Sequence, residues 1–194
     1  VGAIANPKIS ATSTSHKSQP SITTAQHKAS GDTAESEGNP TVAMSQNCIA
    51  TTVKTTFSRA TSVSISINAS PGTVWSLLTT AENYPGWNST VISIRGKIEL
   101  GGTITLVSTL DSAREFKLKV KEVEPNQKLV WGDRQGSRVY TLEEKAHGET
   151  LFSMVEKIGG ILFPLYGKYI PPFNEAFERF AMDLKAEARG QDQP

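Results

Sequence analysis

Cysteine is almost missing from this chain: Cys48 is the only one in 194 residues. A single thiol builds no intrachain disulfide framework and no site that needs two or more thiolates. No oxidising compartment is implied. Histidine is nearly as scarce, limited to His16, His27 and His147. The last sits in Ala146-His147-Gly148, which reads as an exposed hairpin turn, so neither a hydrolase triad nor a metal cluster has its parts. Catalytic histidine and bound metal are therefore not expected. No charge of one sign dominates either. Twenty basic against nineteen acidic side chains give a net charge of +1, with no run of Lys or Arg that would track phosphates. Nucleic acid is not an expected partner. Long apolar runs are absent as well: the most apolar stretch, residues 158–166, is far shorter than the roughly 20 residues of a membrane-spanning helix. Gly159, Gly160 and Pro164 interrupt it. The expectation is a soluble protein without a transmembrane segment.

What is present falls into two textures. Residues 1–58 are rich in Ser, Thr, Ala, Gln and Asn and have neither helical nor alternating apolar periodicity, so they read as a disordered leader. Lys8, Lys17 and Lys28 without any acid in the first 31 residues fit an organellar targeting segment, although such segments usually carry arginine. The competing reading takes Met44 as the natural start. Cytoplasmic location is expected, with organellar import if the leader is genuine.

From Ala60 onward the chain alternates polar and apolar residues, placing Val63, Ile65 and Ile67 on one face of a strand. Ser70-Pro71 supplies a cap and a first helical residue for a helix striped by Val74, Leu77, Leu78 and Ala81. A second short helix or turn is expected over residues 82–85. Six further strands follow, near residues 91–95, 103–110, 115–123, 128–133, 138–144 and 150–158, with turns at Gly101-Gly102, Asp111-Ser112, Pro125-Asn126, Gln135-Gly136 and His147-Gly148. Pro171-Pro172 announces a last helix carrying Phe173, Phe177, Phe180, Leu184 and Ala188, with Gly190 as its stop signal. The expected fold class is α+β: a seven-stranded, curved antiparallel sheet in the order β-α-α-β6-α around a long C-terminal helix. If that helix touches the sheet mainly at its ends, apolar side chains in the middle line a cavity.

Several segments, in this order, resemble one superfamily: Ile67-Asn68-Ala69-Ser70-Pro71 through Val74-Trp75, Tyr84-Pro85-Gly86-Trp87-Asn88, Gly101-Gly102-Thr103, Glu122-Val123-Glu124-Pro125 with Leu129-Val130-Trp131, and Gly148-Glu149-Thr150 leading to Glu156. Over residues 60–189 the chain resembles the SRPBCC, or Bet v 1-like and START-like, helix-grip superfamily, in its polyketide cyclase/dehydrase and lipid-transport branch. The resemblance implies an internal cavity for a hydrophobic small molecule such as a lipid, an aromatic or a polyketide, without a cofactor. Alternatives are a cyclase or dehydratase using the same cavity, and a ligand-regulated adaptor for protein partners.

Strand parity turns Ile104, Leu106, Ser108 and Leu110 inward, with Phe116 and Leu118 on the next strand. The superfamily pattern adds Arg138, Tyr140 and Leu142, faced by Thr150, Phe152, Met154 and Glu156. Unpaired buried charges are costly, so Arg138 and Glu156 are expected either to pair or to bind a polar ligand group, unless Arg138 lies at a wet rim. Arginine where many relatives have histidine favours anchoring a carboxylate or phosphate-like head group over acid/base chemistry. If the domain is an enzyme, Glu156, Tyr140 and Arg138 are its catalytic candidates. Trp75, Trp87, Trp131, Phe173 and Phe177 complete the expected ligand-binding set. The apolar stretch at 158–166 is a candidate lid or a portal for transient membrane contact, or else packs under the helix.

Overall fold

The computed structural model describes residues 48–191; the leader residues before Cys48, with His16, His27 and Met44, lie outside them. A single antiparallel sheet is built from β1 (Thr51–Lys54), β2 (Ser58–Ile67), β3 (Val91–Arg95), β4 (Thr103–Ser108), β5 (Asp111–Glu124), β6 (Lys128–Gly132), β7 (Gly136–Glu144) and β8 (Thr150–Gly159). Its order is β1-β2-β8-β7-β6-β5-β4-β3. Between β2 and β3 lie α1 (Pro71–Thr79), a 3-10 turn (Ala81–Asn83) and the single turn α2 (Tyr84–Trp87). After β8 come the single turn α3 (Phe163–Tyr166), a second 3-10 turn (Gly167–Tyr169) and α4 (Asn174–Gln191).

The α+β class and the gripping helix agree with the sequence, and the sheet has one strand more than expected. β1 comes from the segment read as leader. It pairs with the start of β2 from Thr51↔Ser62 to Lys54↔Arg59 and is tied to α4, where Glu178 accepts from the Ala50 amide at 2.9 Å and Asn174 donates to the Ala50 carbonyl at 2.8 Å. Four residues, three of them exposed, carry no readable periodicity. Their order comes from ladder and helix contacts that only the fold supplies.

Local chemistry explains most boundaries. The Ser70 side chain accepts from the Thr73 amide at 3.1 Å and caps α1, with Pro71 at its first turn. The expected turn at Asp111-Ser112 is instead the start of β5, because Ser108 pairs with Asp111 and leaves a two-residue Thr109-Leu110 loop. Nor does α4 stop at Gly190; it runs on to Gln191. Irregular registers at Ser93, Ser108 and Glu122 interrupt the β3–β4, β4–β5 and β5–β6 ladders, and such bulges bend a sheet so that it can wrap a helix.

Where the apolar centre was expected to be hollow, it is filled. Phe180 of α4 meets Trp87 at 5.6 Å, Tyr140 at 5.8 Å, Phe152 at 6.2 Å and Tyr84 at 6.3 Å between ring centroids. Tyr140 in turn meets Trp131 edge-on at 5.0 Å. Burying rings of this size stabilises the fold by roughly 1.5–3 kcal/mol each, with a further 0.5–1.5 kcal/mol for good ring geometry. The middle of the grip is thus an aromatic core, and open space is displaced to one end.

Candidate functional site

That end is where β8 finishes and the β1–β2, β4–β5 and β6–β7 turns lie together: Ser58 pairs with Gly159, and Gly136 with Ile158. Here the sheet and the β8–α4 connection border a partly open cavity of about 370 Å³, towards the small end of the roughly 300–1,000 Å³ of ligand sites. Its apolar wall includes Leu106, Phe116, Leu118, Trp131, Ile158 and Phe173. Gly132, also in the lining, must be glycine: a Cβ there would stand 2.2 Å from the Gly136 carbonyl oxygen. Gly160, at φ +135°, lets the chain turn away from β8 into the connection.

Arg138 and Glu156 face each other as direct partners on β7 and β8 and both line this cavity. Arg138 Nε donates to Glu156 Oε2 at 2.7 Å, and Nη2 donates to the same oxygen. Their side chains are only 22% and 18% exposed, so this is a largely desolvated ion pair. The guanidinium also lies 5.2 Å from the centroid of the Phe177 ring. Burial opposes its charge most strongly, but the Glu156 carboxylate and the Tyr140 hydroxyl together outweigh it and hold the arginine pKa above its ordinary value.

Tyr140 stands behind this pair. Its hydroxyl is buried beside Arg138 without a well-formed hydrogen bond. Burial pushes its pKa up to about 12 against the lowering effect of the Arg138 charge. Tyr84, wholly buried and donating to the Leu78 carbonyl at 2.9 Å, is held well above 10.0 by burial. Below pH 10 the folded and unfolded chains both keep these protons. Above it the unfolded chain loses phenolic protons that the folded chain retains, so stability is expected to fall as pH rises towards about 12. Denaturant midpoints measured together with tyrosinate absorbance check this: the signal of these two tyrosines should appear with unfolding and not before it.

The sequence-selected residues thus divide. Leu106, Ser108, Phe116, Leu118, Trp131, Arg138, Glu156 and Phe173 line the cavity, and Leu110, read as inward, lies at its exposed rim. Ile104, Tyr140, Phe152, Met154 and Phe177 are packed in the core and are not part of the lining, while Trp75 and Trp87 pack half-buried against that core. Trp87 Nε1 and Asn88 Nδ2 are buried donors without a partner among the described residues, away from the lining. His147 is exposed at φ +65°, as its turn required. No group of three or more His, Cys, Asp or Glu able to hold a metal occurs among the described residues.

Sequence reasoning missed Arg59. It is 6% exposed, donates to the carbonyls of Ile170 at 3.1 Å and Pro171 at 2.8 Å, and lies 4.5 Å over the Phe173 ring. Burial lowers its pKa, while Glu156 pulls the other way. It fastens the connection before α4 to β2 and so fixes the cavity wall formed by Ile170, Pro171 and Phe173. The signal was present: Arg59 and Thr61 are in phase with Val63, Ile65 and Ile67, and both are buried.

A bent antiparallel sheet closed by a terminal helix, with a cavity at one end, defines the helix-grip fold. The chain belongs to the polyketide cyclase/dehydrase and lipid transport family, whose model matches residues 58–189. Solved structures with a similar fold include a START superfamily protein from Mycobacterium smegmatis, at 15% identity over 68% of this chain and 98% of that one, with a TM-score of 0.51. Also similar are a protein from Rhodobacter sphaeroides, at 16% identity over 74% and 99% with a TM-score of 0.56, and a conserved protein of unknown function from Enterococcus faecalis, at 18% identity over 75% and 80% with a TM-score of 0.55. No curated protein matches this chain. Family and fold fit the binding of a hydrophobic ligand, and no helix among the described residues is long and apolar enough to cross a membrane.

Proposed function

We propose that the protein binds one uncharged amphipathic small molecule, with its apolar body against Leu106, Phe116, Leu118 and Trp131 and its polar end at the Arg138–Glu156 pair. The observation that carries this reading is the cavity itself: an apolar wall with the internally neutralised Arg138–Glu156 pair within it, the other charged lining residues, Asp111, Arg114 and Asp133, standing exposed at its rim. Because Glu156 offsets the Arg138 charge, a hydroxyl or carbonyl suits that end better than a carboxylate or phosphate. A paired guanidinium and carboxylate still offer donor and acceptor capacity to a neutral group, whereas an anion would compete with Glu156 for the same cation. The size favours a ring system or a single chain over a two-chain lipid. Holding is favoured over turnover, since Glu156 Oε2 already accepts twice from Arg138 and is engaged as a charge partner.

Organic extraction of the protein purified from its own host, followed by mass spectrometry, should release one neutral hydrophobic compound in near-stoichiometric amount. The same compound added back should raise the melting temperature. Empty protein that no member of a panel of quinones, sterols, polyketides and single-chain lipids stabilises would contradict the reading.

A further inference from the structure

Among the described residues, the cavity end carries five large exposed apolar side chains on two adjoining segments. In the β8–α4 connection Ile161 is 87%, Leu162 64%, Leu165 70% and Tyr169 74% exposed, while Phe163 is buried and holds the turn in place. Beside them stands Phe57 of the β1–β2 turn, 57% exposed, whose carbonyl accepts from the Gly160 amide at 2.9 Å. These two neighbouring segments have a consistent sign of charge. Residues 51–59 and 157–174 contain Lys54, Arg59, Lys157 and Lys168 and not one Asp or Glu. Lys54 and Lys168 line a common cleft between the two segments. Tyr166, Tyr169, Ile170 and Pro171 of the same connection form one side of the cavity.

We propose that this end docks on an anionic lipid bilayer, with Ile161, Leu162, Leu165 and Phe57 entering the interface and Lys54 and Lys168 meeting the lipid head groups. Exposed apolar side chains flanked by cations are what a bilayer surface of negative potential selects. Tyr169 is suited to the level of the head groups, being apolar in body and polar at its tip. Docking stands on this surface alone; the added step, that the cavity fills directly from the membrane, rests on the ligand-binding reading above.

The test is flotation of the full chain with vesicles of phosphatidylcholine, with and without phosphatidylserine. The wild type should float with the phosphatidylserine vesicles and release as salt rises. The pair Ile161→Glu and Leu165→Glu, at exposed positions that leave the core untouched, should lower binding at least about tenfold. Lys168→Ala should lower it about fivefold, on the anionic vesicles only. Wild type that stays with the soluble fraction, or variants that float equally well, would overturn the proposal. So would a wild-type dimer that Ile161→Glu converts to monomer, which would assign the face to a second copy of the chain. Nile red uptake, measured without vesicles, keeps the two readings apart: flotation without Nile red uptake sustains docking and counts against the binding function, and the reverse result does the opposite.

Discussion

Removing the carboxylate of Glu156 is expected to destabilise the protein far more than losing an ordinary ion pair. Arg138 would be left as an unpaired cation on the floor of the sheet, still close to Phe177 and with its guanidinium largely out of water. Breaking a buried pair from one side costs about 3–5 kcal/mol, because the remaining charge keeps its desolvation penalty without its partner. Replacing both residues, as in Arg138→Leu with Glu156→Leu, removes that penalty and should recover at least half of the loss. Urea denaturation of the two variants beside the wild type measures this directly. A cost for Glu156→Ala below about 1 kcal/mol, the range of exposed pairs, would mean that water reaches the pair freely, and the neutral-anchor argument would fall with it.

Phe180→Ala should produce a loss of similar size by a different route. Phe180 is 2% exposed and is the ring that Tyr84, Trp87, Tyr140 and Phe152 share. Its removal leaves a void in the middle of the grip that its stiff aromatic neighbours fill poorly, so a cost of about 3–5 kcal/mol is expected. The void is apolar and should admit small aromatic molecules such as benzene, which recover part of the lost melting temperature. If Phe180→Ala instead costs under about 1 kcal/mol, or gains no affinity for benzene, the centre is not the packed aromatic core described above.

These two residues also show how far the sequence could be read. The facing of Arg138 and Glu156 was legible only through the superfamily resemblance, since alternation along β7 is ambiguous by itself; that pattern sets Arg138, Tyr140 and Leu142 opposite Glu156, Met154 and Phe152, and the ladder pairs them in that register. The striping of α4 was legible directly, since Phe177, Phe180 and Leu184 recur at three- and four-residue spacing and all are buried. What periodicity cannot report is depth along the sheet. Tyr140, Phe152 and Met154 share a face with Arg138 and Glu156, yet they lie where side chains from α2, β6 and α4 converge. Whether an inward residue fills space or borders it depends on the size of partners distant in sequence, as Phe180 shows. Arg59 was hidden for another reason: charged residues seldom occupy a core face. Its burial rests on two backbone carbonyls at Ile170 and Pro171, more than a hundred residues away. β1 was illegible because its order comes from Glu178 and Asn174 of α4 and not from its own pattern.

The most direct measurement of the central claim, that the space at the end of the sheet is where a hydrophobic molecule is held, is titration of Nile red into the wild type and into Leu118→Trp. Leu118 is half-buried and lines the cavity wall. An indole in its place projects into the cavity of roughly 370 Å³ and narrows it beside the Arg138–Glu156 pair, away from the Phe180 core. Affinity should fall at least about tenfold while the unfolding transition moves by less than about 1–3 kcal/mol, the usual cost of overpacking. Equal affinity in the two proteins would place the ligand elsewhere and contradict the account.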